Sequence, residues 1–131
     1  SRSSRCCSAS VSPCSSNAGA VVVPISCNDA IDRGDLRDKL EPKTKIGSPF
    51  VIAGMDMARP AGKQNVCGWE ANGGFLTGSD FVRDGKTLSA LPTRSAFLPI
   101  LATLFAAKKA GKSLVELFAS LPARYSKAAL L

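Results

Sequence analysis

The chain reads as an α/β protein, a layered mixed sheet flanked by helices. Val21-Val22-Val23-Pro24-Ile25 is a continuous apolar run of strand length, the pattern of a strand covered on both faces. A second such run returns at Val66-Cys67-Gly68-Trp69. Segments whose apolar residues recur at helical spacing are interleaved with these runs, around residues 48–61, 93–110 and 113–121. Strands alternating with helices of this length give sheet-and-helix layers around one core.

Taken in order, the elements begin late. Ser1 to Ala20 contain eight Ser, two Arg and three Cys, with no apolar period of either 2 or 3.6 residues. Residues 1–19 are therefore expected to be disordered, either as a low-complexity linker or as an out-of-frame segment, and the folded domain is expected over 20–131. After the Val-rich strand, Asn28 to Lys39 is polar and charged, a loop with a helical turn. Thr44-Lys45-Ile46 reads as a short strand running into Gly47. Ser48 then serves as a helix N-cap with Pro49 at the first helical position. That helix extends to about Ala61, with Val51, Ile52 and Met55 facing inward.

The strand at 66–69 is expected to pair with Phe75-Leu76-Thr77 as a hairpin, and Asp84-Gly85 reads as a turn. A helix from about Thr93 to Ala110 is expected to bury Phe97, Leu101, Leu104 and Phe105 and to stop at Lys108-Lys109 and Gly111. The last helix opens with the capping box Ser113-Leu114-Val115-Glu116 and carries Leu114, Leu117, Phe118 and Leu121 at i, i+3, i+4 and i+7. These stripes are core positions rather than cofactor boxes.

Composition narrows the function classes. At 131 residues the chain is one module with one modest core. Its 45% hydrophobic and 21% charged residues argue against global disorder. No apolar run reaches the roughly 18 residues a membrane span needs, and the start lacks the apolar core of a secretory signal. A cytoplasmic location with no membrane partner is the expectation. The net charge of +7, from 17 Lys+Arg against 10 Asp+Glu, favours anionic ligands. With one Trp and one Tyr and no basic stripe interleaved with aromatics, nucleic acid is not an expected partner. Histidine is absent, which removes His-based acid/base chemistry and His metal ligation. The cysteines at 6, 7, 14, 27 and 67 form no Cys-x-x-Cys pair, so reduced thiols are expected and no metal site.

Two stretches carry candidate chemistry. In Gly68-Trp69-Glu70-Ala71-Asn72-Gly73-Gly74, a carboxylate and a carboxamide are lifted off a strand end by a flexible backbone. A carboxylate accepts hydrogen bonds from neighbouring hydroxyls, an amide both donates and accepts, and the Gly pair lets a ligand approach. Glu70, Asn72 and Gly73 are thus candidate ligand residues, with Glu70 and Asn72 expected as exposed polar tips. Alone, Asn-Gly is first of all a hairpin signal. The second stretch is Lys45 to Pro49, where a cation, a glycine and a helix N-terminus at Ser48 make an anion site through backbone N–H groups and the helix dipole. Its alternative is an ordinary strand-to-helix turn with a solvated lysine.

The segments Ala20–Asn28 (Ala-Val-Val-Val-Pro-Ile-Ser-Cys-Asn), Thr44–Ile52 (Thr-Lys-Ile-Gly-Ser-Pro-Phe-Val-Ile), Glu70–Gly74, Leu91–Arg94 (Leu-Pro-Thr-Arg) and Leu121–Tyr125 (Leu-Pro-Ala-Arg-Tyr), in this order, resemble the third domain of the α-D-phosphohexomutases, the phosphomannomutase/phosphoglucomutase family. The resemblance implies one domain of a normally four-domain fold. It implies a fragment of a phosphomannomutase/phosphoglucomutase, which interconverts hexose 1-phosphate and hexose 6-phosphate, contributing the sugar-recognition loop. Mannose or glucose phosphate and the missing domains are the implied partners. Substrate-binding positions would be Glu70, Asn72, Gly73, Lys45 and Ser48, with Arg94 a weaker candidate. A non-catalytic carbohydrate- or anion-binding module, or a structural domain, is the alternative. Relatives carry a phosphoserine loop, an Asp-Gly-Asp-x-Asp-Arg magnesium loop and an Arg-Ser-Gly-Thr phosphate clamp in their other domains, and none of these strings occurs here. No catalytic residue and no bound cofactor is therefore expected in this chain, since phosphoryl transfer in the family needs a phosphoryl donor, a divalent cation and a positioning clamp.

The chain alone is accordingly expected to show no mutase turnover in a coupled assay with Mg²⁺ and a bisphosphorylated sugar activator. Turnover above background would contradict both the absence of catalytic groups and the resemblance.

Overall fold

The sheet is built from strands too short to stand without the layers on either side. The computed structural model describes residues 18–60 and 62–119. Strands β1 (Ala20–Val22), β2 (Val66–Trp69), β3 (Phe75–Thr77) and β6 (Leu91–Ser95) form one sheet in the order β1-β2-β3-β6. β1 and β2 are parallel, whereas β2/β3 and β3/β6 are antiparallel, so the sheet is mixed as expected. β4 (Phe81–Arg83) and β5 (Lys86–Leu88) form a separate hairpin. Asp84 and Gly85 join them with φ of 51° and 72°, the backbone of a type I′ turn.

The Val-rich strand is covered on both faces, which explains its unbroken apolar run. Val21 and Val23 join Cys67, Trp69 and Phe75 in one core, while Ala20 and Val22 join Val51, Met55, Val66 and Leu76 in the other. Ile25, at the end of the same run, is exposed. The expected strand at 44–46 reduces to a parallel bridge between Thr44 and Pro24, preceded by another between Leu40 and Val21. Glu41 and Thr44 N–H groups donate to Val21 and Val23 carbonyls. Pro42 has no N–H to continue that ladder, which confines the stretch to an edge. Before it, the polar 28–39 segment folds into two 3-10 turns, Asp29–Arg33 and Arg37–Lys39.

Helix α1 (Ser48–Ala58) lies over the Val22 face. It stops three residues short of Ala61: Arg59 still has helical φ and ψ and donates to Met55 O, but Pro60 has no N–H with which to continue the ladder. Its seating is close. A Cβ at Gly54 would lie 2.7 Å from Val22 Cγ1, and one at Gly68 would lie 2.7 Å from both the Val22 carbonyl oxygen and Val51 Cγ1.

The far side departs from the sequence reading. Residues 93–95 belong to β6, not to a helix, since Phe75 pairs with Ser95 and Thr77 with Leu91 along the β3 edge. Helix α2 (Phe97–Ala110) starts only afterwards, with the Ser95 hydroxyl accepting the Leu98 N–H. The residues α2 buries are Thr103 and Ala107, whereas Phe97, Leu101, Leu104 and Phe105, expected in the core, are exposed. Inward the helix presents small side chains and Leu98, and most of its large ones point outward. Gly111, at φ 62°, ends it in the left-handed conformation as its position predicts.

Helix α3 (Leu114–Ala119) opens on the predicted capping box: Glu116 Oε2 accepts from the Ser113 N–H at 2.8 Å and the Ser113 hydroxyl accepts from the Glu116 N–H at 3.3 Å. The bond from the Ser113 backbone, then its hydroxyl and the Lys112 charge hold the Glu116 carboxyl below its ordinary value. The cap's contribution is thus present above the usual Glu range and lost as pH falls through the lowered one.

Ala18 and Gly19, assigned by composition to the leading segment, already pack with the fold. Ala18 is buried in the first core, and the Gly19 N–H donates to Gln64 O at 3.0 Å. Residues 1–17, with their three cysteines, and Leu121 lie outside the described residues. Cys27 and Cys67 are buried thiols. Among the described residues no helix is long and apolar enough to cross a membrane.

Gly54→Ala provides a test of the close seating. In an ordinary helix interior this change gains about 1 kcal/mol, but here the added methyl meets Val22, and overpacking of this kind costs about 1–3 kcal/mol. The melting temperature of the chain should fall by several degrees. A rise would mean that α1 stands off the sheet.

Candidate functional site

Where β2 ends at Trp69, the chain folds into a tight loop over 70–74. The Glu70 N–H donates to Gly74 O at 2.9 Å, and the Gly73 N–H returns to Glu70 O at 3.0 Å. Asn72 Oδ1 accepts the Gly74 N–H at 3.0 Å, a side-chain turn typical of Asn. Gly73 has φ +90°, where an L side chain would be strained, and the space beside it is open. The loop is both a hairpin turn and a presenting device. At its base Trp69 and Phe75 stack at 6.1 Å between ring centroids and 15° between planes.

Glu70 differs from the exposed tip that the sequence suggests. It is only 7% exposed, and Ser48 Oγ donates to its Oε1 at 2.6 Å. The reason is the close seating of α1, which brings the helix start to the end of β2. The same bond corrects the role assigned to Ser48. Gly47, at φ 124°, is the N-cap, with no side-chain cap bond, and Ser48 is the first helical residue. Its hydroxyl serves the loop instead of the helix. A carboxylate beside a helix N-terminus is favoured by the helix dipole.

The expected bank of N–H donors at 45–49 is smaller than predicted. Pro49 has no N–H, and those of Phe50 and Val51 turn back to Gly47 O at 3.0 and 3.3 Å. Lys45 is exposed, its ammonium 5.8 Å from the centroid of the Phe50 ring. Ser48, Glu70, Asn72 and Gly73 are thus one constellation, while Lys45 stands just outside the helix start, over Phe50.

Arg94 joins from β6. A Cβ at Gly74 would lie 2.7 Å from Arg94 Cδ, so the arginine stem crosses that glycine. The sequence places Arg94 at a helix start and leaves it a weaker candidate. The available signal was the doubled glycine: the turn needs Gly73, and a second glycine beside it marks a close approach.

Glu70, Asn72 and Gly73 form the polar side of a cavity of ≈ 380 Å³. Trp69 and Phe75 at its base and Pro99, Ile100, Leu104, Leu114 and Phe118 from α2 and α3 supply the rest of its wall with Ala96 and Thr103. The indole Nε1–H of Trp69 is buried with no acceptor among the described residues. With one Glu70 oxygen engaged by Ser48, the other oxygen and the Asn72 amide nitrogen are the groups such a site offers to a ligand. Among the described residues no group of three or more His, Cys, Asp or Glu could hold a metal ion.

Comparison with known proteins agrees with this architecture. The family model for phosphoglucomutase/phosphomannomutase, alpha/beta/alpha domain III, matches residues 7–125. The chain is 48% identical over 110 residues to a phosphomannomutase of Salmonella muenchen, a match covering 83% of this chain and 22% of that protein. It is 44% identical over 90 residues to a phosphomannomutase of Sinorhizobium fredii (strain NBRC 101917 / NGR234), covering 69% of this chain and 19% of that one. The chain thus spans about a fifth of the length of the curated relatives it matches.

The Ser48–Glu70 bond should appear as coupling in a double-mutant cycle. Ser48→Ala and Glu70→Ala should each lower unfolding stability, and the double variant should lose about 1–3 kcal/mol less than their sum. Strict additivity would mean that the two side chains do not meet in solution.

Proposed function

The chain belongs to the phosphoglucomutase/phosphomannomutase family through its alpha/beta/alpha domain III, and on that premise we propose that it is the sugar-recognition domain of a phosphohexomutase. The whole protein interconverts hexose 1-phosphate and hexose 6-phosphate, and this domain contributes the reading of the hexose, mannose or glucose. The observation that carries the proposal is the Glu70 carboxylate, held by Ser48 beside Asn72 at the polar side of a cavity with apolar walls.

In this reading Glu70 accepts a hydrogen bond from a sugar hydroxyl, and the Asn72 amide donates to a neighbouring oxygen. Ser48 holds Glu70 in one rotamer, so the carboxylate is already oriented when the sugar arrives. Gly73 lets the ring approach the backbone, and the apolar wall suits its C–H face. Lys45 and Arg94 supply positive charge for the phosphate. All of this is positioning, which lowers a barrier by holding reactants in geometry rather than by making or breaking a bond. Phosphoryl transfer belongs to groups elsewhere in the full-length protein, and no step of it runs through this chain. A cytoplasmic setting fits the proposed role.

Isothermal titration of the chain with mannose 1-phosphate and glucose 1-phosphate tests the reading. Binding should be weak, and Glu70→Gln and Asn72→Ala should each reduce it about tenfold, the loss expected for one hydrogen bond to a charged or well-placed group. Unchanged affinity in both variants would exclude the loop from sugar recognition.

A further inference from the structure

Trp69 carries a buried donor that the fold leaves unused. The residue is 4% exposed, and its indole Nε1–H is the only buried side-chain nitrogen or oxygen among the described residues without a hydrogen-bond partner. Buried Trp N–H groups ordinarily find an acceptor, and one left without it costs free energy. Packing does not account for that cost. Trp69 stacks on Phe75 within the first core, and a phenylalanine would supply the same ring-to-ring contact with no donor to bury.

Its place in the molecule points to a ligand. Trp69 lines the same cavity as Glu70, Asn72 and Gly73. The rest of the wall is apolar apart from Thr103, whose hydroxyl proton goes to Pro99 O at 2.7 Å. Of the side chains that α2 and α3 contribute, Ile100, Leu104 and Leu114 are about half exposed. Exposed side chains change rotamer on a fast timescale, so an entering molecule can uncover the indole edge without unfolding the wall.

The chemistry of these groups selects the atom that meets the indole. An ionised Glu70 only accepts, so it reads a hydroxyl proton, whereas the indole N–H only donates and needs a lone pair. A hydroxyl placed against the indole would bring a proton of its own to a mainly apolar wall, and leaving that proton unbonded is costly. Apart from the phosphate ester, a hexose phosphate in its ring form has one oxygen with lone pairs and no proton, the ring oxygen.

We propose that Trp69 is a specificity-determining residue of this site, its indole N–H donating to the ring oxygen of a bound hexose phosphate. The sugar then closes the hydrogen bond that the fold leaves open, and its C–H face lies along the apolar wall. The proposal rests on the reading of the 70–74 loop as a sugar reader, and it adds a contact from β2 itself.

Trp69 is the only tryptophan of the chain, so a single indole Nε1–H resonance reports this group in the NMR spectrum of the whole chain. Titration with mannose 1-phosphate should move that resonance downfield, and inorganic phosphate should leave it in place. The carbocyclic analogue of mannose 1-phosphate, with a methylene group in place of the ring oxygen, should bind about tenfold more weakly, the loss expected for one hydrogen bond. Trp69→Phe should bind mannose 1-phosphate more weakly by the same factor and should no longer distinguish it from the analogue, a pattern that a merely structural role of the ring would not produce. If Trp69→Phe fails to fold, the resonance and the analogue decide the matter on the unaltered chain. An indole resonance that stays in place while the Asn72 and Gly73 amides shift would overturn the role of Trp69 and leave the sugar-reading loop standing. An indole resonance that moves equally with inorganic phosphate, or an analogue bound as tightly as the sugar, would overturn it as well. If neither the indole nor the loop amides respond to the sugar phosphate, both proposals fall.

Discussion

The close approach of helix α1 to strands β1 and β2 is the constraint on which the rest of this structure depends. It exists because Gly54 on the helix and Gly68 on β2 have no Cβ where Val22 and Val51 lie. At that distance Val51 and Met55 pack with Val22, Val66 and Leu76 in one buried cluster. The helix is thereby fixed relative to the sheet along its whole length, including its first residue. Ser48 then falls within hydrogen-bonding distance of the residue that follows β2, and Glu70 is turned from a loose surface carboxylate into a buried, oriented one. Core packing and site geometry are consequences of the same contact.

The two sides of the sheet are finished to different degrees. The β1–β2–β3 region is sealed by two apolar clusters, and its strands are buried at nearly every position. The α2–α3 end is held more lightly, by Leu98 against the first core and by small residues of α2. Elements with few buried apolar contacts open at lower free energy than the core. One wall of the candidate cavity is therefore rigid, the loop and the Trp69–Phe75 stack, and the other comes from helices with less to hold them.

Much of this was legible in the residues. The unbroken Val21–Val23 run predicted a strand with two covered faces, and Val66–Trp69, Phe75–Thr77 and the Asp84-Gly85 turn were placed where they occur. The Ser113–Glu116 cap was readable because both of its bonds are local. The misreadings share a cause: each depended on contacts distant in sequence. Ser48 carries every local mark of an N-cap, but Glu70, 22 residues away, takes its hydroxyl. Residues 93–95 look like a helix start until the free edge of β3 is considered. The stripe on α2 shows that the helix is apolar, not which side faces this domain's own sheet. Of the site, the residue types of the Glu70–Gly73 loop could be read directly, whereas the burial of Glu70 and the arrival of Arg94 could not, since both follow from how β6 and α1 pack.

The central claim is that the Ser48–Glu70–Asn72 constellation meets a hexose phosphate. Backbone amide NMR of the chain, titrated with mannose 1-phosphate and separately with inorganic phosphate, tests it most directly. The account predicts that the amides of Ser48, Asn72, Gly73 and Gly74 shift with the sugar phosphate and much less with phosphate alone. Identical shifts with both ligands, or shifts confined to the basic stretch Lys108–Lys112, would contradict it.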